Sequence, residues 1–452
     1  MSILFYLSKQ SNDETLSEFS EFIIKFFNYV SARCLIVCEI DYDKNMLINL
    51  LQGIDNKEII NIYDIYNKHV YDDFNVKKGN SFNNYLYLIE PTRVKLEDDV
   101  SRFKDNLSNI FIGIISRYNV KAIHLNINKG MFRSVGVVIL QEVSQIIGIP
   151  FYMIFVSFVK GRYTIYDSIY FNHKRFEIDY ISLLEKGVNS KTADEIEAYF
   201  KQYKDYELNV HVPEMMAYVK RKIKRFSFSL KDLVKFLKRF YRKNKHYAVT
   251  LKDRNQDNPY ILYLLTKPNH WYTSYSNPEL LDRGNVARNI WLSMPARYDL
   301  ILKAHPRMFK EPLLEEIVSK MPGCYIVYDP PTSFELISNA RIIIVYGSTS
   351  MVLPLMQKKH VIEIGKRSLY FNIENPPVKR VENLADLRGA IEECLNEEPP
   401  VDRIYAYFNA LFKNSYPYSD NPNKIIEYRE EDMYHNKIAS ILFERMTEDG
   451  VL

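Results

Sequence analysis

The sequence predicts an α/β protein built from two Rossmann-like parallel-sheet domains that are joined by a basic helical linker. Short apolar runs alternate with amphipathic segments in the region before the linker, and the same alternation restarts at residue 260. Between these regions, residues 220–245 contain twelve Lys or Arg and one acid, Asp232. Strands that alternate with helices are typical of parallel sheets. We therefore predict domains at 1–215 and 251–400, a linker at 216–250 and a helical segment at 401–452.

The composition is that of an ordinary globular protein, with 47% apolar and 26% charged residues and a net charge of +4. Glycine is scarce, at 14 of 452 residues, and no Gly-x-Gly-x-x-Gly pattern occurs. The Gly365-Lys366 pair has His360 where a P-loop needs its first glycine. These observations disfavour a Walker-type ATPase and a dehydrogenase with a dinucleotide fingerprint.

The cysteines indicate a cellular compartment, and the lengths of the apolar runs test for a membrane-spanning helix. The 4 cysteines are too few for a disulfide framework and form no C-x-x-C pair, which favours a reducing, cytoplasmic location. No run approaches the ~18 uninterrupted apolar residues that a spanning helix needs. We therefore expect no membrane span.

The first domain contains one complete supersecondary unit. Residues 120–125 form an apolar run, residues 133–147 follow with helical spacing, and Gly148 and Pro150 precede a second apolar run that ends at Val156. A strand, a helix and a strand in this order predict a parallel βαβ unit. The apolar run at 3–7 predicts a first strand.

The second domain is predicted to hold five strands, at 260–265, 299–303, 325–328, 341–346 and 361–364, with helices at 285–294, 311–320, 333–339 and 350–357. Residues 403–446 are helical in composition. Open parallel sheets bind ligands at the carboxyl ends of their strands. Functional residues are therefore expected directly after these strands.

The segment after the strand at 299–303 reads Lys303-Ala304-His305-Pro306-Arg307. Pro306 restricts the backbone of His305 to an extended geometry, so the ring is expected to project from the sheet edge. An imidazole there is suited to donating to a phosphate oxygen and to stabilising the charge of a departing nucleotide, and Lys303 and Arg307 add positive charge. The alternative is a loop histidine that bonds its neighbours, beside two solvated cations.

A second motif follows the strand at 341–346, where Gly347-Ser348-Thr349-Ser350 leads into a predicted helix. Backbone N–H groups at a helix start, with hydroxyl groups beside them, are suited to binding an anion. The alternative is a simple Ser/Thr N-cap. Taken with His305, the turn predicts a pocket for the phosphates of a nucleotide.

Residues 260–370 resemble the C-terminal domain of bacterial capsule and surface polysaccharide biosynthesis proteins, whose glycosyltransferase members adopt the GT-B fold. Lys303, His305 and Pro306 match the Lys-x-His-Pro motif of that family, and 348–350 match its Ser/Thr-rich turn. Residues 133–167 resemble the family more loosely. This sequence departs from the family at two positions, because Leu353 replaces an acid after the turn and Val156 lies at a strand end that often carries a carboxylate.

The resemblance implies a GT-B arrangement, in which an N-terminal acceptor domain and a C-terminal nucleotide-donor domain face a central cleft. It implies that His305, Ser348 and Thr349 hold the phosphate of a nucleotide-sugar, which is CMP-linked in related enzymes. The rest of the predicted donor site consists of the neighbouring residues Lys303, Pro306, Arg307, Gly347 and Ser350. The expected activity is glycosyl transfer to a growing surface polysaccharide or a lipid-linked glycan. No cofactor and no divalent metal are expected. Nucleic acid is not an expected partner, because no base-reading motif accompanies the basic run.

Two other functions fit the same residues. CDP-glycerol-dependent polymer transferases carry comparable His-Pro and Ser/Thr elements, so a CDP-glycerol or polyol-phosphate transferase is one alternative. The residues Leu353 and Val156 also fit a non-catalytic glycan-assembly or glycan-binding protein of the same fold. The sequence does not predict the sugar, the acceptor, the linkage, the stereochemical outcome or the oligomeric state.

An inverting transfer needs a base near the acceptor hydroxyl. Asp167 is the best carboxylate of the first domain, because it ends the strand-like run at 161–167 and is expected to face the cleft. The alternative is a turn-forming Asp. Glu142 is a weaker candidate because it lies inside a predicted helix. His270, beyond the strand at 260–265, is expected either to reach the cleft or to lie in a surface loop.

Asp41-Tyr42-Asp43 offers a rival mechanism. An acidic pair after the apolar run at 34–40 is similar to the D-x-D site of GT-A glycosyltransferases, where a divalent metal bridges the donor diphosphate. The pattern is short, and a GT-A enzyme would not need a second parallel domain. We therefore favour the metal-independent mechanism.

The basic run at 220–245 carries Phe236, Leu237 and Phe240 at helical spacing. One interpretation is a solvated helix between the domains. The other is attachment to anionic lipid head groups at the inner membrane face, where each nearby cation contributes ~1 kcal/mol.

Overall fold

The computed structural model describes residues 2–7, 13–30, 32–38, 41–52, 54, 57–62, 97–126, 135–159, 161–169, 172–205, 254–266, 280, 282–304, 312–328, 333–347, 349–366, 368, 371–417 and 436–452. The chain separates into two compact units, named the first unit (1–175 with 414–452) and the second unit (176–413). The first unit is discontinuous in sequence, whereas the predicted domains are continuous. The predicted linker at 216–250 lies outside the described residues.

A seven-stranded sheet forms the centre of the first unit. Its strands are β1 (Ser2–Leu7), β2 (Arg33–Cys38), β3 (Lys57–Asn61), β4 (Val120–Asn126), β5 (Phe151–Val156), β6 (Arg162–Tyr166) and β13 (Tyr416–Pro417). Their order is β13-β6-β5-β4-β1-β2-β3. The strands β1 to β5 are parallel, and β6 runs antiparallel to both of its neighbours, β5 and β13. The order β3-β2-β1-β4-β5 is that of a Rossmann-type sheet.

The helices of the first unit that precede residue 150 are α1 (Asp13–Phe27), α2 (Asp41–Leu50), α3 (Glu97–Arg117) and α4 (Val135–Ile147). The predicted βαβ unit is confirmed as β4, α4 and β5, with β4 and β5 parallel. Aromatic side chains fill the space between α1 and the sheet. The ring of Phe5 lies 6.3 Å from that of Phe22, and His124 of β4 lies 5.4 Å from both.

The helix α13 (Asn436–Glu448) packs on α1 and completes the first unit. Near its end, the guanidinium of Arg445 bridges two carboxylates, Asp167 at 3.0 Å and Asp449 at 2.8 Å. The hydroxyl of Tyr152 on β5 also donates to Asp449, at 2.9 Å. Residues 436–452 are therefore held on the first sheet by ion pairs as well as by packing.

A six-stranded sheet forms the centre of the second unit. Its strands are β7 (Tyr260–Leu264), β8 (Asp299–Lys303), β9 (Cys324–Val327), β10 (Ile342–Val345), β11 (His360–Ile364) and β12 (Lys379–Val381). All of them pair in parallel, in the order β12-β11-β10-β7-β8-β9. Read from β9, this is the 3-2-1-4-5-6 order of the Rossmann fold.

Helices cover both faces of the second sheet. They are α7 (Arg283–Ser293), α8 (Pro312–Ser319), α9 (Ser333–Asn339), α10 (Val352–Met356) and α11 (Leu387–Asn396). α7 packs against α8 and α11, whereas α9 packs against α10. The chain moves in opposite directions along the sheet after β7 and after β10, so right-handed crossovers place α7 and α10 on opposite faces. α11 therefore lies on the α7 face.

Three further helices belong to the second unit, namely α5 (Lys174–Lys186) from residue 176 on, α6 at 190–205, and α12 (Val401–Lys413). Tyr180 of α5 donates its hydroxyl to the carbonyl of Asn375 at 2.6 Å. The rings of Phe200 and Phe408 join α6 to α12, with their centroids 4.8 Å apart. These contacts explain why 176–205 cluster with the second sheet.

One parallel sheet and one predominantly parallel sheet confirm the predicted α/β class with Rossmann-like topology. The strand predicted at 299–303 and the helix predicted at 333–339 have the predicted bounds. Differences from the prediction include two strands. β12 adds a sixth strand of 3 residues, too short to show a periodicity. The segment predicted to be helical at 403–446 also contains β13, an edge strand in which Pro417 needs no donor.

None of the helices within the described ranges combines the length and the apolar character needed to cross a membrane.

Candidate functional site

The carboxyl ends of the central strands of the second sheet form the candidate site. β7 lies between β10 and β8, with Tyr263 in register with Ile344. After β7 the chain builds β8 and β9 on one side, and it then returns to build β10 on the other. Such a reversal leaves a crevice beyond the strand ends, which is where open α/β sheets bind ligands. The residues that follow β7, β8 and β10 therefore share one edge.

Lys303 ends β8 with its side chain inside the protein, only 3% exposed. Its ammonium group donates to the carbonyl of Tyr328, the residue after β9. This bond joins the ends of β8 and β9 and fixes a buried positive charge near the carboxyl ends of the strands. Because water is excluded there, the electrostatic effect of the ammonium group extends farther than it would in solvent. Contact between Lys303 and a ligand stays a prediction.

The turn after β10 passes through Gly347, which is buried and adopts a φ of +40°. Glycine reaches this left-handed region without the strain that a Cβ adds. Thr349–Met351 then form a single 3-10 turn, with Ser350 exposed, and α10 follows.

The helix predicted at 350–357 is thus shorter than expected, and Pro354 supplies the reason. In an α-helix that began at Ser350, residue 354 would have to donate a backbone hydrogen bond, which proline lacks. Starting α10 at Val352 puts Pro354 in the first turn, where no such donor is needed. A helix of 5 residues has a small macrodipole, so the predicted anion site would have to rely on the turn and its hydroxyl groups.

Five of the predicted site residues lie outside the described residues: His270, His305, Pro306, Arg307 and Ser348. By sequence, His305 is the second residue after β8, and Ser348 follows Gly347 directly. Their roles stay predictions.

A buried carboxyl that sequence reasoning missed lies near the same edge. Glu363 of β11 is 1% exposed and is in register with Val345, the last residue of β10. The groups that favour its ionised form are the hydroxyl of Ser368 and the guanidinium of Arg380, whose Nε lies 4.0 Å from Oε2. Burial raises the pKa of Glu363 to about 7, against opposing effects of the Ser368 hydroxyl and of Arg380. The available signal was a single acid within the apolar run His-Val-Ile-Glu-Ile.

Asp167 lies away from the ligand-binding edge of its own sheet. β6 runs antiparallel to β5, so Tyr166 pairs with Met153 near the beginning of β5. The residue after β6 is therefore at the amino ends of the parallel strands. The expectation that Asp167 ends a strand at the ligand-binding edge is wrong, because sequence reasoning supplied the strand but not its direction.

The carboxylate of Asp167 has partners of its own. Oδ1 pairs with Arg445 at 3.0 Å, and Oδ2 accepts the backbone N–H of Lys174 at 2.8 Å. Burial raises the pKa of Asp167 above its ordinary value, and these two partners oppose that rise. The arrangement is that of an anchor for α13. Glu142, the weaker candidate, lies on α4 as predicted.

The D-x-D segment lies in the first turn of a helix. Asp41 begins α2. Asp43 is fully buried. Within the described ranges, no group of three or more His, Cys, Asp or Glu is arranged to hold a metal ion. Metal independence of the reaction stays a prediction.

No protein-family model and no curated protein matches the chain. Solved structures do match it. A glycosyltransferase from Rickettsia africae ESF-5 is 12% identical, covers 99% of this chain and 98% of its own, and has a TM-score of 0.32. The Methanocaldococcus jannaschii UDP-GlcNAc 2-epimerase in complex with UDP-GlcNAc and UDP is 12% identical, with coverages of 98% and 100% and a TM-score of 0.31.

The KpsC beta Kdo 2,7 transferase of Thermosulfurimonas dismutans is 11% identical, covers 74% of this chain and 89% of its own, and has a TM-score of 0.38. At such low TM-scores and identities, these likenesses carry no argument about the activity of this chain.

Proposed function

We propose that this chain is a GT-B-type glycosyltransferase that uses a nucleotide-sugar donor. The observation that carries the proposal is the strand order of the second sheet, in which the ends of β8 and β10 flank the end of β7. The His-Pro segment follows β8, and the Ser/Thr turn follows β10. A donor phosphate at this edge would therefore have an imidazole on one side and hydroxyl groups on the other.

In this proposal, His305 donates to the leaving nucleotide phosphate, while Ser348, Thr349 and Ser350 bind its oxygens. Donors that are preorganised for charge developing in the transition state are among the largest contributions to catalysis. Lys303 and Arg307 supply positive charge. The reaction needs no divalent metal, because these groups take its place at the phosphate.

The proposed acceptor is a growing surface polysaccharide or a lipid-linked glycan. We place its reaction in the cytoplasm, with residues 220–245 binding the anionic inner face of the membrane. The charge of that segment, twelve cations against one acid, supports this part of the proposal.

A panel of nucleotides tests the donor site through the melting temperature. CMP, UDP and CDP-glycerol are each added at millimolar concentration to the wild type, to His305→Ala and to a Ser348→Ala/Thr349→Ala variant. A ligand at one hundred times its Kd stabilises the folded state by about 2.7 kcal/mol. We expect one nucleotide class to raise the melting temperature of the wild type and to raise those of the two variants much less.

His360→Ala is the matched control for the histidine variant. His360 begins β11 at the opposite, amino edge of the same sheet, with its Nε2 2.9 Å from the carbonyl oxygen of Glu397. It should keep the full nucleotide shift. Equal shifts in His305→Ala and His360→Ala, or no shift with any nucleotide, would contradict the proposed site. A shift with CDP-glycerol alone would assign the chain to the polyol-phosphate transferases.

One observation favours a second candidate, a non-catalytic glycan-assembly or glycan-binding protein. Arg445 engages the carboxylate of Asp167, the residue that sequence reasoning assigned as the base. A protein of this kind would bind the donor nucleotide without turning over any nucleotide-sugar. Release of free nucleotide from a panel of CMP- and UDP-sugars, with glycan acceptors present, separates the two candidates.

A further inference from the structure

Arg380 of β12 lies among three acceptors beside the candidate site. Its Nη2 donates to the carbonyl of Lys366 at 3.0 Å and lies 3.8 Å from the carboxylate of Glu382. Its Nε lies 4.0 Å from Glu363 Oε2 and has no hydrogen-bond partner among the described residues. That separation is too long for a hydrogen bond. The guanidinium is therefore hydrogen-bonded to the turn after β11, while its Nε points toward the buried carboxyl of Glu363 without bonding to it.

Lys379, the neighbour of Arg380 on β12, shows on which face of the sheet Arg380 and Glu363 lie. Lys379 forms an ion pair with Glu393 of α11, so its side chain lies on the α11 face. Successive side chains of a strand alternate between faces. Arg380 and its cross-strand partner Glu363 therefore face the other side, where α10 packs on β11.

Few charged groups face Glu363. From β12 they are Arg380 and, through it, Glu382, and the turn after β11 contributes the hydroxyl of Ser368. Lys366 of the same turn is exposed. α10 contributes only apolar, buried side chains, and the partner on β10 is Val345. Arg367 lies outside the described residues. Arg380 is therefore the described cation that responds to the charge of Glu363.

The two protonation states of Glu363 make different demands on Arg380. A buried carboxylate is costly unless a cation pairs with it, so ionised Glu363 needs Arg380 in addition to the Ser368 hydroxyl, whereas neutral Glu363 does not. Burial raises the pKa of Glu363 to about 7, so both states are populated near neutral pH. The guanidinium has only to close a gap from 4.0 Å to hydrogen-bond distance.

We propose that Glu363 and Arg380 form a proton-controlled switch at the carboxyl end of β11. The neutral carboxyl leaves Arg380 on the Lys366 carbonyl, and the ionised carboxylate draws Arg380 off it and frees the turn at 365–366. This turn lies next to the Gly347 turn, because β11 pairs with β10. An effect on nucleotide affinity rests on the proposed function, whereas the movement of Arg380 does not.

Amide hydrogen exchange of the full chain tests the movement. Peptides that cover 364–368 are followed at pH 6 and pH 8, after correction for the intrinsic exchange rate. A group with a midpoint near 7 goes from about one tenth to about nine tenths ionised over this range. We therefore expect the protection of these peptides against amide exchange to be about tenfold lower at pH 8 than at pH 6 in the wild type.

Variants at three positions, Glu363, Arg380 and Glu393, sharpen the test. Glu363→Gln keeps the shape of the side chain and removes the charge, so protection should stay high at both pH values; Glu363→Leu provides the same test if the amide is not tolerated. Arg380→Met should leave the turn unprotected at both pH values. Glu393→Gln removes the partner of Lys379 on the opposite face and should behave as the wild type does.

The outcomes separate the switch from the proposed function. Equal protection of the wild type at the two pH values, or the same pH dependence in Glu363→Gln, would overturn the switch. CMP affinity measured over the same range should depend on pH in the wild type more than in Glu363→Gln. A turn that responds to pH in a protein that binds no nucleotide supports the switch and contradicts the proposed function.

Discussion

Arg445 Nη2 lies 3.0 Å from Asp167 Oδ1, joining two residues that are 278 positions apart in the sequence. The same guanidinium pairs with Asp449 at 2.8 Å, and Arg445 is only 7% exposed. One cation thus serves two carboxylates at the junction between the first sheet and α13. Removing one partner from a buried ionic group leaves the others uncompensated, which costs more than the pair itself contributes.

Arg445→Met is therefore expected to lower the free energy of unfolding of the first unit by about 3 kcal/mol. Urea unfolding at pH 7 measures this change. Lys25→Met is the control, because Lys25 pairs with Glu21 on the surface of α1 at 3.6 Å. Exposed pairs of this kind contribute up to about 1 kcal/mol. Equal midpoints for the two variants would show that Arg445 is not an anchor.

A second prediction concerns His124, whose ring is buried against Phe5 and Phe22. Burial lowers the pKa of His124 to about 3, below the ordinary value of 6.5. Between these values the unfolded chain binds a proton that the folded chain does not, so this contribution to stability is lost as the pH falls below 6.5. The slope is up to about 1.4 kcal/mol per pH unit.

His124→Phe should remove that slope while the aromatic packing is retained. Urea unfolding at a series of pH values from 4 to 8 gives the comparison. The curves of the two proteins should run parallel above pH 7 and separate below 6.5, with the wild type losing stability faster. Parallel curves over the whole range would mean that His124 takes up its proton in the folded state.

The third prediction uses the contact between α7 and α8. A Cβ at Gly284 would lie 2.3 Å from Cδ1 of Ile317. Replacing glycine by alanine inside a helix contributes about 1 kcal/mol of stability, whereas overpacking costs about 1–3 kcal/mol. Gly284→Ala should therefore destabilise the wild type slightly.

Ile317→Val removes the clashing methyl group, so the same Gly284→Ala change should stabilise that background. A double-mutant cycle by urea unfolding measures the coupling between the two positions. An unchanged sign of the Gly284→Ala effect in both backgrounds would show that Ile317 already has room to move.

The fourth prediction tests the proposed leaving-group role of His305. Loss of one preorganised donor typically lowers turnover by about 10²–10³. His305→Ala is therefore expected to lower kcat by that factor with the melting temperature unchanged, as measured by nucleotide release from the donor found in the nucleotide panel. His360→Ala should keep wild-type turnover. Near-normal turnover in His305→Ala would remove the histidine from the mechanism.

Periodicity predicted most strands and helices because buried strands and amphipathic helices repeat their apolar residues locally. The run at 299–303 is an example, with every residue of β8 buried. Strand direction was beyond such reasoning, since it depends on the pairing partner and not on the residues of the strand itself. This is why Asp167 was assigned to the wrong end of its sheet.

The ion pair of Asp167 and the burial of Glu363 both depend on residues that are distant in the sequence. The partner of Asp167 lies on α13, and no local pattern connects the two. Glu363 was overlooked because an acid in an apolar strand reads as a solvated edge residue until both neighbouring strands, β10 and β12, are known. By contrast, the start of α10 at Val352 has a local cause in Pro354, although the sequence analysis predicts a helix at 350–357.

The discontinuity of the first unit has a consequence for biosynthesis. Domains fold as units while the ribosome extends the chain. β1 emerges first, yet the helix that covers α1 is translated only after the whole second unit. During that interval α1 lacks the helix that packs on it, so the first unit is completed only by the synthesis of residues 436–448.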